Sequence, residues 1–222
     1  MIRLGKTCVL LFSGGRDSTI AAVKLSAVME RLILVTVTSG HLAGMDAVHQ
    51  RVLELKKWLQ GNTKWVHVFS ASIAQTAQRF SAPTCLPCNC LYTAIGLSVA
   101  ENNKADSIAF GYTRYQAVWP EQTDYAIERL TSIVQSRGFS LVLPVHDIES
   151  KREAEDQLNR YSLSTNSLEQ KCSKSALNVE LDQKRLKEEI AVWEQALLEI
   201  LSSGSETEGR IVTDFLLSDL NY

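Results

Sequence analysis

Short apolar runs alternate with longer amphipathic segments through most of the chain. The runs typical of buried strands span residues 6–12, 32–38, 65–69, 107–111 and 140–143. Predicted helices lie between them, at 17–30, 45–60, 91–102 and 123–135, and the first two have apolar residues at helical spacing. Strands that alternate with helices form a parallel sheet with helices on both faces. We therefore predict an α/β fold with a doubly wound, parallel, five-stranded sheet.

A glycine-rich turn follows the first strand-type run. Residues 13–18 read Ser-Gly-Gly-Arg-Asp-Ser, and a helical segment begins within them. Two glycines let the backbone turn sharply, and their exposed amides with the helix start form a cradle for anions. Ser13 and Ser18 would add hydroxyl donors, and Asp17 would orient the loop or help to hold magnesium. Because ligands of such sheets bind at the carboxyl ends of strands, this edge is the expected binding site.

The turn lacks the Gly-Lys-Ser/Thr ending of a Walker loop, and its glycines are too close together for a dinucleotide fingerprint. It resembles the Ser-Gly-Gly-x-Asp-Ser loop of the PP-loop ATP pyrophosphatases, which have an adenine nucleotide alpha hydrolase-like fold. Those enzymes cleave ATP between the α- and β-phosphates and adenylate a substrate oxygen. The resemblance implies ATP and magnesium as cofactors, with Asp17 and Ser18 catalytic. It also implies that ATP is held by Ser13, Gly14, Gly15, Arg16, Asp17 and Ser18.

The same resemblance implies roles for three further residues. Ser39 follows the second strand, where the family places adenine against the backbone. Gly111, in the run Phe-Gly-Tyr-Thr, would permit a close backbone approach beside the nucleotide. Lys151 opens a helix after Pro144, as does the phosphate-facing catalytic lysine of several members. An exposed lysine in a first helical turn is the alternative interpretation of Lys151.

Several stretches resemble 7-cyano-7-deazaguanine synthases of queuosine biosynthesis. They are Ala-Asp-Ser-Ile-Ala-Phe-Gly at 105–111, Ser-Lys-x-Glu at 150–153 and Ser-Leu-Glu-Gln-Lys-Cys at 167–172. Those synthases convert a carboxylate on a deazapurine into an amide and then a nitrile, using ATP and ammonia. The resemblance implies a small nucleobase-like substrate with ammonia or an amine as nitrogen donor. The alternative is that the same type of chemistry serves a separate modification or defence system.

Aromatic and charged residues gather after the fourth predicted strand. Tyr112, Arg114 and Tyr115 would suit a planar acidic heterocycle through stacking and a bidentate carboxylate contact. Glu121 is either a further substrate contact or the acidic start of the next helix. A packed aromatic loop without a ligand is the alternative.

Four of the five cysteines are candidates for metal binding. Cys85, Cys88, Cys90 and Cys172 would form a structural zinc site that tethers the polar segment 162–178. In the deazaguanine synthases a lone cysteine precedes the cluster, and here that order is reversed. Reactive thiols and plain reduced cysteines are the alternatives. The fifth, Cys8, lies in the first apolar run and is expected in the core.

Reactive thiols would support a second function. Residues 84–89, Thr-Cys-Leu-Pro-Cys-Asn, resemble a region of tRNA thiouridylases, which adenylate a uridine oxygen and replace it with sulfur. Cys88 and Cys172 would then be the sulfur-carrying pair. The net charge of −2 and the lack of an evident RNA-binding appendage favour a small-molecule substrate over RNA. A third hypothesis is an ATP-binding subunit of a larger complex.

The pattern changes near residue 148, which predicts a nucleotide-binding domain at 1–148 and a helical extension at 149–222. The extension contains a short helix at 150–161 with a capping-box spacing, a long amphipathic helix at 181–201 and an apolar tail at 212–220. The long helix is expected to dock on the sheet or on a partner, as in a homodimer. No apolar run approaches the roughly 20 residues needed to cross a bilayer, and no secretory signal is evident, which predicts a cytoplasmic protein.

Overall fold

The computed structural model describes residues 7–59, 61–71, 73–173, 179–203 and 209–219. The main sheet has six strands in the order β6-β5-β1-β2-β4-β8. Its strands are β1 (Thr7–Leu11), β2 (Arg31–Thr38), β4 (Thr63–Ser70), β5 (Ser107–Ala109), β6 (Ser140–Val142) and β8 (Gly209–Leu216). A separate pair is formed by β3 (Leu42–Ala43) and β7 (Lys171–Cys172).

Seven α-helices and three short 3-10 turns connect these strands within the described residues. The helices are α1 (Arg16–Ser26), α2 (Met45–Leu55), α3 (Ile73–Ala77), α4 (Leu86–Asn102), α5 (Asp124–Ser136), α6 (Lys151–Arg160) and α7 (Gln183–Ser202). The 3-10 turns lie at Arg114–Gln116, Pro120–Gln122 and Leu217–Asp219.

The predicted α/β fold with five parallel strands is confirmed. The strands β1, β2, β4, β5 and β6 pair in parallel, and β8 adds a sixth strand antiparallel to β4. The sequence had indicated only an apolar tail at 212–220 there. Leu220 at the end of that tail, and Lys6 at the start of the first predicted strand, lie outside the described residues.

Helices cover the sheet on both faces, and alternate residues of β1 point to the two layers. Val9 joins a core cluster with residues of α4, α5 and α7. Cys8 and Leu10 join a second cluster with residues of α1, α2 and α6. Cys8 is therefore a core thiol, as expected, and burial raises its pKa to about 11. The absence of polar alternation in β1 follows from burial on both faces.

The long helix α7 packs within the chain. Its residues Ile190, Trp193 and Leu197 are buried in the same cluster as residues of α4 and α5. The Trp193 indole nitrogen donates to the Asn89 side-chain oxygen of α4 at 3.0 Å. The apolar stripe predicted at 181–201 thus packs against α4 and α5 of the same chain.

Helix α4 begins five residues earlier than the sequence predicted. It starts at Leu86, with Pro87 in its first turn, where a missing N–H is tolerated. Cys88 and Cys90 consequently lie on the helix, and Cys85 is its N-cap residue. None of the helices in the described part of the chain combines the length and apolarity needed to cross a membrane.

The Ser150 cap of the predicted capping box of α6 is formed, but the reciprocal bond to Glu153 comes from the residue before the cap. The Glu153 N–H donates to the Ser150 hydroxyl at 3.1 Å, and the Glu149 N–H donates to the Glu153 carboxylate at 2.9 Å. We expect Ser150→Ala to lower the free energy of unfolding by about 1 kcal/mol, because an amide of the first turn loses its acceptor. Urea denaturation measures this change.

A matched control is Ser132→Ala, on an exposed position of α5. The Ser132 hydroxyl donates to the Glu128 carbonyl within the same helix, so its removal should change stability by less than about 0.5 kcal/mol. Equal losses in the two variants would contradict the capping role of Ser150.

Candidate active site

The glycine-rich turn joins the carboxyl end of β1 to the start of α1. Gly14 has φ +83°, a conformation that favours glycine, and Gly15 is the N-cap residue of α1. The Gly15 N–H donates to the Ser13 hydroxyl oxygen at 3.1 Å, and the Ser13 and Ser18 hydroxyls lie 3.1 Å apart. Hydroxyls, amides and the positive end of α1 therefore converge, as an anion site requires.

The turn lies where the sheet changes direction. The chain runs outward from β1 to β2 and β4, then returns to place β5 on the other side of β1. Clefts in doubly wound sheets form at this switch point. A cavity of about 290 Å³, here named chamber one, opens there. Its lining includes Ser13, Gly15, Arg16, Asp17, Ser18, Gly111, Tyr112 and Tyr115.

Gly111 makes the close approach that its position predicted, and its neighbour is backbone. A Cβ at Gly111 would lie 2.8 Å from the Ser18 backbone nitrogen and 2.9 Å from the Ser18 Cα. Only glycine lets the end of β5 pass the first turn of α1 at this distance.

Asp17 is held by two side chains from the 3-10 turn that follows β5. The Tyr115 hydroxyl lies 2.8 Å from both carboxylate oxygens, and the Gln116 amide donates at 3.1 Å. Burial raises the pKa of Asp17, while the Tyr115 hydrogen bond and the Arg16 charge oppose that rise. Tyr115, predicted to contact substrate, orients a carboxylate beside the glycine-rich turn in this structure.

A second cavity of about 300 Å³, named chamber two, adjoins the first. The two share Leu11, Ser13, Asn89, Tyr92 and Glu169. Strand residues such as Phe12, Val35 and Val37 give chamber two a largely apolar wall. Its polar lining comprises His41, Cys85, Cys88, Asn89, Glu121, Glu169, Gln170 and Cys172. Burial raises the pKa of Glu121.

Three of the four predicted metal-binding cysteines face chamber two, and the fourth does not. The Cys88 sulfur lies 3.5 Å from His41 Nε2, and His41 Nδ1 lies 2.7 Å from the Ser39 hydroxyl. Burial, with the negative charges of Glu121, Cys88 and Cys172, raises the pKa of Cys85 to about 12.

Cys90 lies on the opposite side of α4. It is 0% exposed, belongs to the core cluster, and its thiol contacts the Trp193 carbonyl at 3.8 Å. Residues two apart on a helix point in nearly opposite directions. Cys88 and Cys90 therefore cannot bind the same metal ion. Among the described residues, no three His, Cys, Asp or Glu side chains are arranged to hold a metal ion. The predicted four-thiolate zinc set does not fit this structure.

Four other predicted residues line neither chamber: Gly14, Ser39, Arg114 and Lys151. Arg114 forms an ion pair with Asp124 at 3.6 Å on the surface. Lys151 is 62% exposed and lies 3.7 Å from Glu155 on the same helix, which matches the alternative of an exposed first-turn lysine. Ser39 is buried behind chamber two, where it contacts His41.

Several cleft residues were missed at the sequence level. Tyr92 and Gln122 line the chambers but belong to no local motif, and Asn89 lies in the motif at 84–89 but was assigned no role. Glu169 lines both chambers because residues 164–173 cross the carboxyl edge of the sheet. The sequence did carry one unused signal, Arg51, which interrupts the apolar stripe of Val48, Val52 and Leu55.

Comparisons with known proteins support the fold assignment. No family model matches this chain, and no curated protein matches it. A 4-thiouridine synthetase, solved in complex with RNA and with bound ATP, superposes with a TM-score of 0.64 at 16% identity. The match covers 95% of this chain and 55% of the other, so this chain spans about half the length of that synthetase.

Two further solved structures match with lower TM-scores. A U34-tRNA thiolase with a [4Fe-4S] cluster, from Methanococcus maripaludis, has a TM-score of 0.48 and 16% identity over 89% of this chain and 70% of its own. An NMN synthetase from Francisella tularensis has a TM-score of 0.47 and 12% identity over 94% and 89%. The superposition on the 4-thiouridine synthetase, at 16% identity, establishes a shared α/β architecture.

The contacts of Asp17 predict the effect of removing its tyrosine partner. We expect Tyr115→Phe to raise the pKa of Asp17 further, because burial is then opposed by one hydrogen bond fewer. Gln116→Leu should cause a smaller rise, since the Gln116 hydrogen bond lowers the pKa of Asp17 by less than the Tyr115 hydrogen bond does. A pH titration of the carboxyl carbon by NMR reports both shifts. An unchanged or lowered pKa in Tyr115→Phe would contradict this electrostatic account.

The placement of the cysteines predicts an order of alkylation. Cys172 is exposed, so iodoacetamide should modify it first in the folded protein. Cys8 and Cys90 should react only after unfolding, because both are buried and burial raises their pKa to about 11 and about 12. Mass spectrometry of peptides from native and urea-treated protein gives the order. Early modification of Cys90 would place it in the chamber after all.

Proposed function

We propose that this chain is an ATP-dependent enzyme that adenylates a carboxylate on a 7-deazapurine-like substrate and releases pyrophosphate. The observation that carries the proposal is the Ser13–Ser18 turn at the sheet's switch point, opening into two adjoining chambers. One chamber has the donors that phosphate needs. The other has the apolar walls that a planar ring system needs.

The loop accounts for the first step. A substrate carboxylate oxygen attacks the α-phosphorus of ATP, and pyrophosphate leaves with its negative charge. The loop amides, the Ser13 and Ser18 hydroxyls and the N-terminus of α1 stabilise that charge. ATP enters with magnesium, and the Asp17 and Glu169 carboxylates of chamber one are oxygen donors of the kind that magnesium prefers. Catalysis here consists of positioning and charge stabilisation.

The second step takes place on the acyl adenylate. Ammonia attacks the activated carbon, AMP leaves, and an amide and a proton are formed. Glu121 in chamber two is suited to accept N–H donors from the edge of an amino-substituted ring. Arg16 in chamber one supplies a cation near the phosphates. Arg114 faces Asp124 and has no part in this scheme.

A second candidate function is sulfur insertion into tRNA, and the thiols of chamber two favour it. Cys88 and Cys172, the predicted sulfur-carrying pair, both line the chamber that adjoins the phosphate loop. His41 lies 3.5 Å from the Cys88 sulfur and can accept its proton. In this scheme ATP adenylates a base oxygen and pyrophosphate leaves, and the outer sulfur of a persulfide on Cys88 then attacks the activated carbon and displaces AMP. The Cys172 thiol attacks the Cys88 sulfur next, which breaks the S–S bond, releases the thiolated base and leaves a Cys88–Cys172 disulfide for an external thiol to reduce.

The two candidates separate in a pyrophosphate-release assay with MgATP. We expect release to depend on 7-carboxy-7-deazaguanine, and mass spectrometry to show the amide or nitrile when ammonium is present. Asp17→Asn should slow release by about 100-fold, because a charged oxygen donor at the loop is lost. Cys172→Ser should leave the rate within about twofold, since the thiols take no part in this scheme.

Release that requires tRNA, together with a thiolated base whose formation needs a sulfur donor and is abolished in Cys88→Ser, would instead establish the sulfur scheme. ATP binding without release under either condition would indicate a nucleotide-binding subunit of a larger complex.

A further inference from the structure

Arg51 is a fully buried arginine that lines neither chamber. Its side chain is 0% exposed, yet it extends from the apolar face of α2. The guanidinium donates to four oxygens: Glu54 at 2.7 Å, the Ser164 carbonyl at 2.9 Å, the Asn166 carbonyl at 2.6 Å and the Gly14 carbonyl at 3.4 Å. A buried guanidinium is tolerated only when it is paired and hydrogen-bonded in this way.

Two of these oxygens belong to residues 164–173, here called the strap. The strap crosses the carboxyl edge of the sheet and is fixed at both ends. Near its start, Arg16 donates to the Thr165 carbonyl at 3.2 Å. Near its end, the Gln170 amide donates to the Val37 carbonyl at 3.0 Å, and β7 pairs with β3. Arg51 donates both to the strap and to the Gly14 carbonyl of the glycine-rich turn (residues 13–18, here called the phosphate loop), and so links the two segments.

The strap also explains why the turn needs glycine at position 14. A Cβ at Gly14 would lie 2.7 Å from the backbone carbonyl oxygen of Leu168, whereas one at Gly15 would lie 2.7 Å from a Glu169 carboxylate oxygen, the end of a flexible side chain that can move. The strap therefore rests directly on the backbone of the loop. A shift of the strap therefore displaces the backbone of the glycine-rich turn, and the reverse holds too.

The Gly14 carbonyl sets the direction of the amide that follows it. In a trans peptide, the C=O of one residue and the N–H of the next point in opposite directions. Arg51 donates to the Gly14 carbonyl at 3.4 Å, and the Gly15 N–H of the same peptide unit donates to the Ser13 hydroxyl, 3.1 Å away, on the lining of chamber one. The Gly15 amide, and the hydroxyl that it holds, are thereby oriented before any ligand arrives.

We propose that Arg51 is a positioning residue for the phosphate loop: it orients the Gly15 amide through the Gly14 carbonyl and seats the strap on the loop. This inference rests on the proposed function, because the anion that the loop binds is the pyrophosphate portion of ATP. Arg51 does not itself touch that anion. Its planar fork joins three backbone carbonyls at once, which a lysine ammonium on a flexible stem cannot reproduce.

The test measures the affinity for MgATP and for magnesium pyrophosphate by calorimetry, with thermal unfolding recorded for every variant. In Arg51→Lys we expect both affinities to fall at least tenfold and the strap amides to exchange hydrogen faster. Glu54→Gln is the matched control, because it removes the ionic partner of Arg51 but leaves the bonds to Gly14 and the strap. Its affinities should stay within twofold even if it unfolds at a lower temperature.

A double variant guards against misfolding. Arg51→Met with Glu54→Leu removes the buried pair without leaving an unpaired charge, so the fold should persist. It should show the same loss of pyrophosphate affinity as Arg51→Lys.

Wild-type affinity in either folded Arg51 variant would overturn the positioning role and leave the proposed function intact. A wild-type protein that binds neither MgATP nor pyrophosphate would overturn the proposed function, and the positioning role with it.

Discussion

Backbone lies directly on backbone around the phosphate loop, and the cleft takes its shape from that contact. The end of β5 meets the first turn of α1 at Gly111, where a Cβ would lie 2.8 Å from the Ser18 nitrogen. The strap meets the loop from another side at Gly14, where a Cβ would lie 2.7 Å from the Leu168 carbonyl oxygen. Close-packed backbone has little room to adjust. The loop is therefore held in one conformation from both sides.

Local pattern was enough to predict the sheet because each central strand is buried on both faces. Its sequence is then apolar without interruption, and helices such as α2 and α5 show a 3.6-residue period. The strand β8 was missed since its pairing with β4 joins segments far apart in sequence. Nothing near residues 209–216 signals that partner.

The cysteines show how site prediction depends on element boundaries. Their number and spacing indicated four ligands, but the helix was expected to begin at residue 91. With α4 beginning at Leu86, Cys88 and Cys90 lie on opposite sides of one helix. Arg51 shows the reverse case. A charged residue within an apolar helical stripe was visible in the sequence, but its partners at Gly14 and 164–166 are tertiary contacts.

The charges around the loop favour a ligand that brings its own cation. Burial raises the pKa of both Asp17 and Glu121, so the folded protein holds protons on these groups more tightly than the unfolded chain does. Their contribution to stability is therefore lost as the pH rises through the unfolded and folded pKa values. A cation bound beside Asp17 would stabilise the charged carboxylate and so oppose the effect of burial on its pKa. In the function proposed above, ATP with magnesium would supply the anion for the amides and the cation for the carboxylate together.

The two chambers place the two halves of the proposed reaction side by side. Ser13 and Asn89 line both chambers, so an adenylate formed at the loop already borders the space of the second step. Ammonia is a free nucleophile and needs only access to that space. Sulfur must be carried on a thiol, and Cys88 beside His41 is the thiol with a proton acceptor in reach. The same architecture thus serves either chemistry, and the choice depends on whether a cysteine forms a bond during turnover.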